Sequence, residues 1–199
     1  MKRLFDVLVA TAGLLVLGPL MLLLALAVRL DSPGPALFRQ ERVGRGGRRF
    51  TVLKFRTMRV AESVGEGRQI TVGGDPRITR TGGLLRSSKL DELPQLINVL
   101  WGDMSLVGPR PEVPRYVALY PADASAEVLS VRPGITDEAS LEFRDESALL
   151  ARAADPERAY IEDVLPRKIA LYRQYVRSRS FVGDLRILIR TVAVLLARG

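Results

Sequence analysis

The most apolar stretch of the chain runs from Val7 to Val28 and carries no charged residue. As a helix it would span roughly 33 Å, enough to cross a hydrocarbon core of about 30 Å. Gly18 and Pro19 lie at its centre, where the proline removes a backbone donor and crowds the preceding turn. The pattern therefore predicts a membrane element in residues 1–30, built as helix, break and helix, ahead of a cytoplasmic domain in residues 31–199.

Basic residues flank this run on both sides. Lys2 and Arg3 precede it, and arginines are frequent from residue 29 to residue 49. The positive-inside tendency therefore draws both ends to the cytoplasm, which favours a re-entrant hairpin over a plain span. A cleaved signal peptide ending near residues 25–27 is disfavoured, because the run exceeds a usual signal core and a strongly basic stretch follows it. A buried core helix is equally disfavoured.

Residues 36–58 show the pattern of two strands joined by a turn at residues 44–47. On the second strand Lys54 and Arg56 alternate with apolar neighbours and are expected to project from one face. They could bind a phosphate there, or they could simply be two solvated basic side chains. Residues 60–83 lack apolar periodicity and are predicted to form a loop with turns.

Helical periodicity returns between residues 84 and 104, which predicts a helix beginning near Asp91 and Glu92. Residues 181–197 form a second amphipathic pattern, too short and too charged to span a bilayer, so this helix either lies on the membrane or packs into the core. The predicted fold class is α+β: mainly helical, with a small β-hairpin or sheet, an N-terminal re-entrant membrane helix and amphipathic interfacial helices.

Composition narrows the possible chemistry. The chain has neither cysteine nor histidine, which excludes disulfides, thiolate and imidazole metal sites, and catalysis by either side chain. Its 30 Lys and Arg against 22 Asp and Glu give a formal charge of +8, which favours polyanionic partners. Any catalysis near neutral pH must therefore use carboxylates, amines, tyrosine or a bound metal.

The acidic pair Asp91 and Glu92 is the strongest candidate for such chemistry. Either residue could simply cap the helix that begins there, since acidic groups stabilise a helix N-terminus. The neighbourhood favours a functional role, because Arg86 and Lys89 lie just before the pair. Adjacent helical residues point about 100° apart, so the two carboxylates are expected to have different roles.

A stiff basic loop follows the predicted helix. In Gly-Pro-Arg-Pro, at residues 108–111, two prolines fix their own φ angles and restrict the residues before them. Arg110 is thereby presented from a rigid support, where its guanidinium could bind phosphate oxygens in a bidentate manner. The alternative interpretation of the two prolines is a rigid turn without a ligand.

Four motifs together resemble the bacterial sugar transferases, that is, the monotopic phosphoglycosyl transferases. The likeness extends from Lys2 to about Thr191. The Asp-Glu-Leu-Pro-Gln-Leu and Gly-Pro-Arg-Pro pair is its most specific part. The motifs are KFRTM (54–58), GDPRITRTG (74–82), LRSSKLDELPQLINVLWGDMSLVGPRPE (85–112) and RPGIT (132–136).

The resemblance implies a re-entrant membrane helix and a magnesium-dependent transfer of a sugar 1-phosphate from a UDP-sugar to undecaprenyl (polyprenyl) phosphate, with release of UMP. It implies that Asp91 is the nucleophile, forming an aspartyl-phosphosugar intermediate, and that Glu92 orients groups or supports the magnesium ion together with Asp91. The expected setting is the cytoplasmic face of the inner membrane, among membrane lipids, at the first membrane step of bacterial glycoconjugate synthesis. Residues 31–199 would then be the catalytic domain.

Elementary electrostatics agrees with these implied roles. An aspartate with an ordinary pKa of about 4 is ionised at pH 7, so it needs no histidine to activate it. An anionic nucleophile approaching a diphosphate must overcome repulsion, which requires a metal ion or several cations. The candidate phosphate- and substrate-binding cations are Lys54, Arg56, Arg86, Lys89 and Arg110.

Two alternatives stay open at this stage. A non-catalytic, membrane-anchored module could bind anionic lipid or nucleic acid through its basic surface, although it would leave the acidic pair unexplained. Aromatic residues do not cluster among the basic ones as single-strand binders require, so nucleic acid is not an expected partner. The second alternative is a phosphatase that releases the sugar phosphate to water.

The chain departs from the resembled family at one position: many members have glycine after Gly-Ile-Thr, where this chain has Asp137.

Overall fold

A computed structural model describes residues 1–60 and 75–197. The elements follow the order helix, hairpin, helices, strand, helices, strand, helices. Residues 61–74 of the predicted loop at residues 60–83 lie outside the described residues, and residues 80–83 are helical, so the loop prediction is wrong for them. The elements are α1 (Lys2–Asp31), β1 (Leu37–Val43), β2 (Arg49–Phe55), α2 (Arg80–Ser88), α3 (Gln95–Trp101), β3 (Ser105–Val107), α4 (Pro114–Val117), α5 (Ala122–Val128), β4 (Gly134–Thr136), α6 (Glu138–Glu142), α7 (Glu146–Leu150), α8 (Pro156–Ala159), α9 (Leu165–Ser178) and α10 (Phe181–Leu196).

Helix α1 runs without interruption through Gly18 and Pro19. The predicted break does not interrupt the helix at these residues. The physical reason is that a proline removes a single intrahelical hydrogen bond, which a long helix tolerates, and bends a helix more readily than it ends one. The helix is long and apolar enough to cross a membrane, and within its apolar stretch only Ala10 and Val28 are fully buried. That exposure excludes the buried core helix.

Both ends of α1 are fixed to the same globular domain. Near its start Asp6 is buried and accepts hydrogen bonds from the Ser105 hydroxyl, at 2.8 Å, and from the Leu106 amide, at 3.3 Å. At its end the Asp31 carboxylate accepts a hydrogen bond of 2.8 Å from the Thr81 amide. Along its length, α1 packs against α2, α3, β2 and β3. The helix therefore lies along the domain, with its other face exposed.

The predicted hairpin is confirmed. Strands β1 and β2 pair antiparallel, joined by a tight turn at Arg45–Gly47. Asn98 of α3, fully buried, fixes the hairpin to that helix: its side-chain oxygen accepts from the Leu53 amide at 3.0 Å, and its side-chain nitrogen donates to the Thr51 carbonyl at 2.7 Å. These bonds place Lys54 beside the turn that precedes α3.

A short parallel pair, β3 and β4, supports the Gly-Pro-Arg-Pro loop. A Cβ on Gly134 would come within 2.1 Å of the Gly108 nitrogen, so this close approach requires glycine. The Gly134 amide donates to the Pro109 carbonyl at 3.0 Å, and the Gly108 amide donates to the Thr136 carbonyl at 3.1 Å. The loop that carries Arg110 is thereby held against β4.

The C-terminal half is helical and forms its own core. Buried residues of α4 to α9 pack around Tyr116, Tyr160 and Tyr172. Helix α10 confirms the predicted amphipathic helix: Asp184 and Ile187 are buried against the domain, while most of its apolar residues are exposed. The α+β class, mainly helical with small sheets and a long apolar N-terminal helix, is therefore confirmed.

Arg56 connects the hairpin to the end of α1 and provides a test of stability. Its buried guanidinium donates to the Pro35 carbonyl at 2.7 Å, the Ser32 hydroxyl at 2.6 Å and the Ser32 carbonyl at 2.8 Å, with further bonds to neighbouring carbonyls. Lysine keeps the charge but cannot reproduce this planar set of donors. We expect Arg56→Lys to lower the free energy of unfolding by about 3 kcal/mol, because buried carbonyls lose their donors.

Denaturant unfolding in detergent measures this effect. The matched control is Arg39→Lys on the exposed face of β1, expected within about 0.5 kcal/mol of wild type. If the Arg56→Lys protein were fully stable but bound a phosphate ligand more weakly, the result would show instead that Arg56 binds phosphate, as its position in the sequence suggests.

Candidate active site

The acidic pair lies in a single 3-10 turn, Leu90–Glu92, between α2 and α3. Lys89, the residue before this turn, has φ 59° and is the one non-glycine residue with positive φ in residues 1–60 and 75–197. A left-handed conformation costs a non-glycine residue roughly 1–2 kcal/mol. It ends α2 and turns the chain, so that the acidic pair is directed toward β2 and the Arg110 loop.

Glu92 is held by two cations. Its carboxylate accepts from the Lys54 ammonium at 2.7 Å, and Arg110 grips both of its oxygens, one of them at 3.2 Å. Burial alone would raise the pKa of Glu92, but the charges of Arg110 and Lys54 outweigh it and hold that pKa well below 4.5. Glu92 in turn raises the pKa of Arg110. Glu92 is thus ionised and fixed, with both oxygens in use.

Asp91 lacks the ion pairs that hold Glu92. It is only 9% exposed, yet within the described residues its carboxylate accepts no hydrogen bond and forms no ion pair. Burial, and after it the charge of Glu92, raises the pKa of Asp91 above 3.8. Neither acidic residue makes a capping hydrogen bond to the following helix. The simple helix-cap interpretation is therefore not what the structure displays.

The structure brings together four of the sequence-predicted site residues: Asp91, Glu92, Lys54 and Arg110. Burial lowers the pKa of Lys54, and Glu92 opposes that shift, so the ammonium stays paired with a carboxylate. Its side chain is 20% exposed and that of Arg110 is 29% exposed. Both cations therefore remain accessible to an anionic ligand.

The other three predicted cations lie differently. Lys89 is exposed, and its charge lowers the pKa of Asp91 against the effect of burial. Arg86 of α2 is half-buried, and its guanidinium donates to the Thr57 hydroxyl at 3.5 Å. Arg56 is not in the cluster, because its guanidinium is directed to the end of α1.

Asp137 is a functional candidate that sequence reasoning noted only as a departure. It is 1% exposed, and one of its oxygens accepts from the Arg110 amide at 2.8 Å. A sequence signal for this contact existed. Because Pro109 and Pro111 have no N–H, Arg110 carries the single backbone donor of that segment, and a buried donor needs an acceptor.

Asp184, a buried acidic residue of α10, lies away from the pair. It accepts from the Tyr175 hydroxyl at 2.8 Å and from the Lys2 ammonium at 2.5 Å. It therefore joins α1, α9 and α10 rather than contributing to the acidic pair.

A metal site formed by protein ligands alone is not present in the part of the chain that the structure describes, where no three acidic side chains converge. Magnesium, however, is commonly held by one or two carboxylates together with substrate phosphates. The free carboxylate of Asp91 fits that mode. Glu92 does not fit as a ligand, since both of its oxygens are already paired with cations.

Comparison with known proteins shows the family to which this chain belongs. The profile of the bacterial sugar transferase family matches residues 1–198. A UDP-glucose:undecaprenyl-phosphate glucose-1-phosphate transferase of Caulobacter vibrioides is 41% identical over 98% of this chain and 69% of its own length. The corresponding protein of Xanthomonas campestris pv. campestris is 40% identical over 99% of this chain, which spans only 39% of that relative. The exopolysaccharide production protein PSS of Rhizobium leguminosarum bv. phaseoli is 40% identical over all of this chain and 96% of its own length. The chain belongs to the bacterial sugar transferase family.

Proposed function

We propose that this protein transfers a sugar 1-phosphate from a UDP-sugar to undecaprenyl or another polyprenyl phosphate, releasing UMP, through a covalent intermediate on Asp91. The observation that carries the proposal is the contrast within the acidic pair. Glu92 is neutralised by two cations, whereas Asp91 is buried and unpaired in the described residues. A carboxylate with a raised pKa and without a hydrogen bond is the better nucleophile of the two.

The first step is a displacement at phosphorus. A carboxylate oxygen of Asp91 attacks the phosphorus bonded to the sugar, forming an Asp–O–P bond. The bond from that phosphorus to the bridging oxygen breaks, and UMP leaves with the electron pair. Lys54 and Arg110 lie beside Asp91 and can stabilise the charge that develops on the phosphate oxygens, with Glu92 fixing their positions.

In the second step an oxygen of the lipid phosphate attacks the same phosphorus, and the Asp91 carboxylate leaves. Support for access by a lipid comes from the packing around the pair. Leu90 and Leu93, on either side of it, pack in one cluster with Met21 and Leu24 of the apolar helix α1. The turn that carries the candidate nucleophile therefore packs in the same apolar cluster as the C-terminal half of α1, which supports access for a phosphate at the membrane surface.

Magnesium is the proposed cofactor, and the Asp91 carboxylate would hold it together with the diphosphate of the donor. When bound, it would withdraw charge from the diphosphate and so reduce the repulsion felt by the carboxylate. The ion pairs of Glu92 support a role for that residue in positioning Lys54 and Arg110 rather than in binding the metal.

We further propose a monotopic attachment to the cytoplasmic face of the inner membrane. A straight span would place the ends of α1 on opposite sides of the bilayer, yet Asp6 and Asp31 both bond to the same domain. A helix that enters and leaves by one face is compatible with these contacts. The exposed apolar residues that would face lipid include Leu15, Val16, Leu22 and Leu23 of α1 and Val182, Ile189 and Val192 of α10.

The sugar is best identified by experiment, because relatives of similar identity carry different sugars in their names. The Caulobacter relative is named for glucose, and one of Aeromonas hydrophila, 38% identical, for N-acetylgalactosamine. We expect one UDP-sugar from a panel to release UMP in nanodiscs containing undecaprenyl phosphate and magnesium. The lipid product should carry both phosphates and the sugar. Free sugar phosphate as the product would indicate a phosphatase, and no release with any donor would contradict the proposal.

A further inference from the structure

The loop that carries Arg110 is fixed on both sides of that residue. Before it, Gly108 and Pro109 bond to β4. After it, the Pro111 carbonyl accepts from Arg42 at 3.0 Å, and the buried Glu112 accepts from the Tyr160 hydroxyl at 2.7 Å. Only the contact at Arg110 itself then sets the direction in which its side chain leaves the loop.

That contact comes from a single buried carboxylate. One oxygen of Asp137 accepts from the Arg110 amide at 2.8 Å, and the other accepts from the Ser140 amide at 2.5 Å, capping α6. No other backbone donor exists between Gly108 and Glu112, since both intervening neighbours of Arg110 are prolines. The charge of Asp137 also acts on the Arg110 guanidinium.

We propose that Asp137 is a positioning residue of the transfer reaction, which holds Arg110 so that its guanidinium engages Glu92 and the phosphate beside Asp91. The inference rests on the proposed function for its catalytic consequence, but not for its structural part. Asp137 accepts a hydrogen bond from the Arg110 backbone, the Arg110 guanidinium bonds to Glu92, and Glu92 pairs with Lys54. A displacement of about 1 Å in such a series of contacts can lower the rate roughly 100-fold.

The chain offers a matched control. Asp155 caps α8 in the same way, accepting from the amides of Glu157 and Arg158 at 3.1 Å each. It is exposed and has no contact with the Arg110 loop. Asp137→Ala and Asp155→Ala therefore remove the same kind of helix cap, and only the first removes the acceptor of the Arg110 amide.

Hydrogen exchange tests the structural part without any assay of activity. A peptide from Leu106 to Glu112 reports the amides of Gly108, Arg110 and Glu112, because prolines carry none and the first two residues of a peptide lose their label. In the full-length protein in nanodiscs, we expect Asp137→Ala to make one amide of this peptide exchange at least tenfold faster. Asp155→Ala should leave the peptide unchanged, and Asp137→Asn, which keeps one acceptor, should fall between. Unchanged protection in Asp137→Ala would overturn the inference.

A double-mutant comparison tests the catalytic part. With the identified donor, Asp137→Ala should lower kcat/KM at least tenfold in the wild-type background but less than twofold when Arg110 is alanine, because no side chain remains to be positioned. Equal losses in both backgrounds would show that Asp137 acts only on the general fold and would overturn the positioning role. If the proposed function is wrong, the wild type will release no UMP, and the hydrogen-exchange result will not be affected.

Discussion

Replacing Asp91 with asparagine is expected to abolish UMP release while making the protein more stable. The carboxylate is the proposed nucleophile, and an amide of the same shape cannot form the Asp–O–P bond. Loss of a nucleophile typically costs several orders of magnitude, so we expect at least a 1000-fold fall in kcat. Lipid-dependent UMP release measures this, with Asp123→Asn on the exposed surface of α5 as a control of unchanged activity.

The gain in stability follows from the direction of the pKa shift. Folding raises the pKa of Asp91 above its ordinary value of 3.8, chiefly through burial, so the fold disfavours the ionised form. The contribution of the Asp91 side chain to stability is fully present below pH 3.8, where the side chain is protonated, and is lost as the pH rises through the folded pKa. At pH 7 the variant should therefore be more stable by about 0.5–2 kcal/mol, and the difference should vanish below about pH 4. A destabilised variant at pH 7 would contradict the environment assigned to Asp91.

Glu92→Gln is expected to have the opposite effect on stability. Glutamine removes the negative charge shared by Lys54 and Arg110 and leaves two largely buried cations without their partner. Breaking a buried ion pair from one side costs about 3–5 kcal/mol, and we expect the lower end because the amide oxygen can still accept one bond. Activity should fall about 100-fold, because both cations lose their fixed positions.

The matched control for Glu92→Gln is Glu41→Gln in the exposed Glu41–Arg49 pair of the hairpin, expected to cost less than about 1 kcal/mol. The pKa of Glu92 is held well below 4.5, so its contribution to stability is present above that pH and is lost as the pH falls through the folded pKa. The difference between wild type and Glu92→Gln should shrink accordingly in acid. A constant difference from pH 7 to pH 3 would argue against the ion pairs.

Much of the architecture could be predicted because it depends on local patterns. Alternation on the hairpin and helical spacing in α10 are visible in short windows of sequence. The pairing of Arg110 with Glu92 was not predicted, since the stiff loop fixes its own conformation but not its target. The motif resemblance placed both residues at one site, and the structure shows that they are in contact.

The features that the sequence could not specify are long-range. The guanidinium of Arg56 is used by the end of α1, 24 residues earlier at Ser32, and nothing in the alternation of β2 indicates this. Asp137 is 27 residues from Arg110, and only the parallel pairing of β3 with β4 brings them together.

Mass spectrometry can detect the proposed covalent intermediate on Asp91. Wild-type protein is mixed with its UDP-sugar and magnesium without lipid phosphate, quenched and digested. The account predicts one phosphosugar on the peptide containing Asp91, a burst of UMP equal to the enzyme present, and loss of the adduct when polyprenyl phosphate is added. UMP release that requires the lipid, with no adduct at Asp91, would show direct transfer and contradict the account.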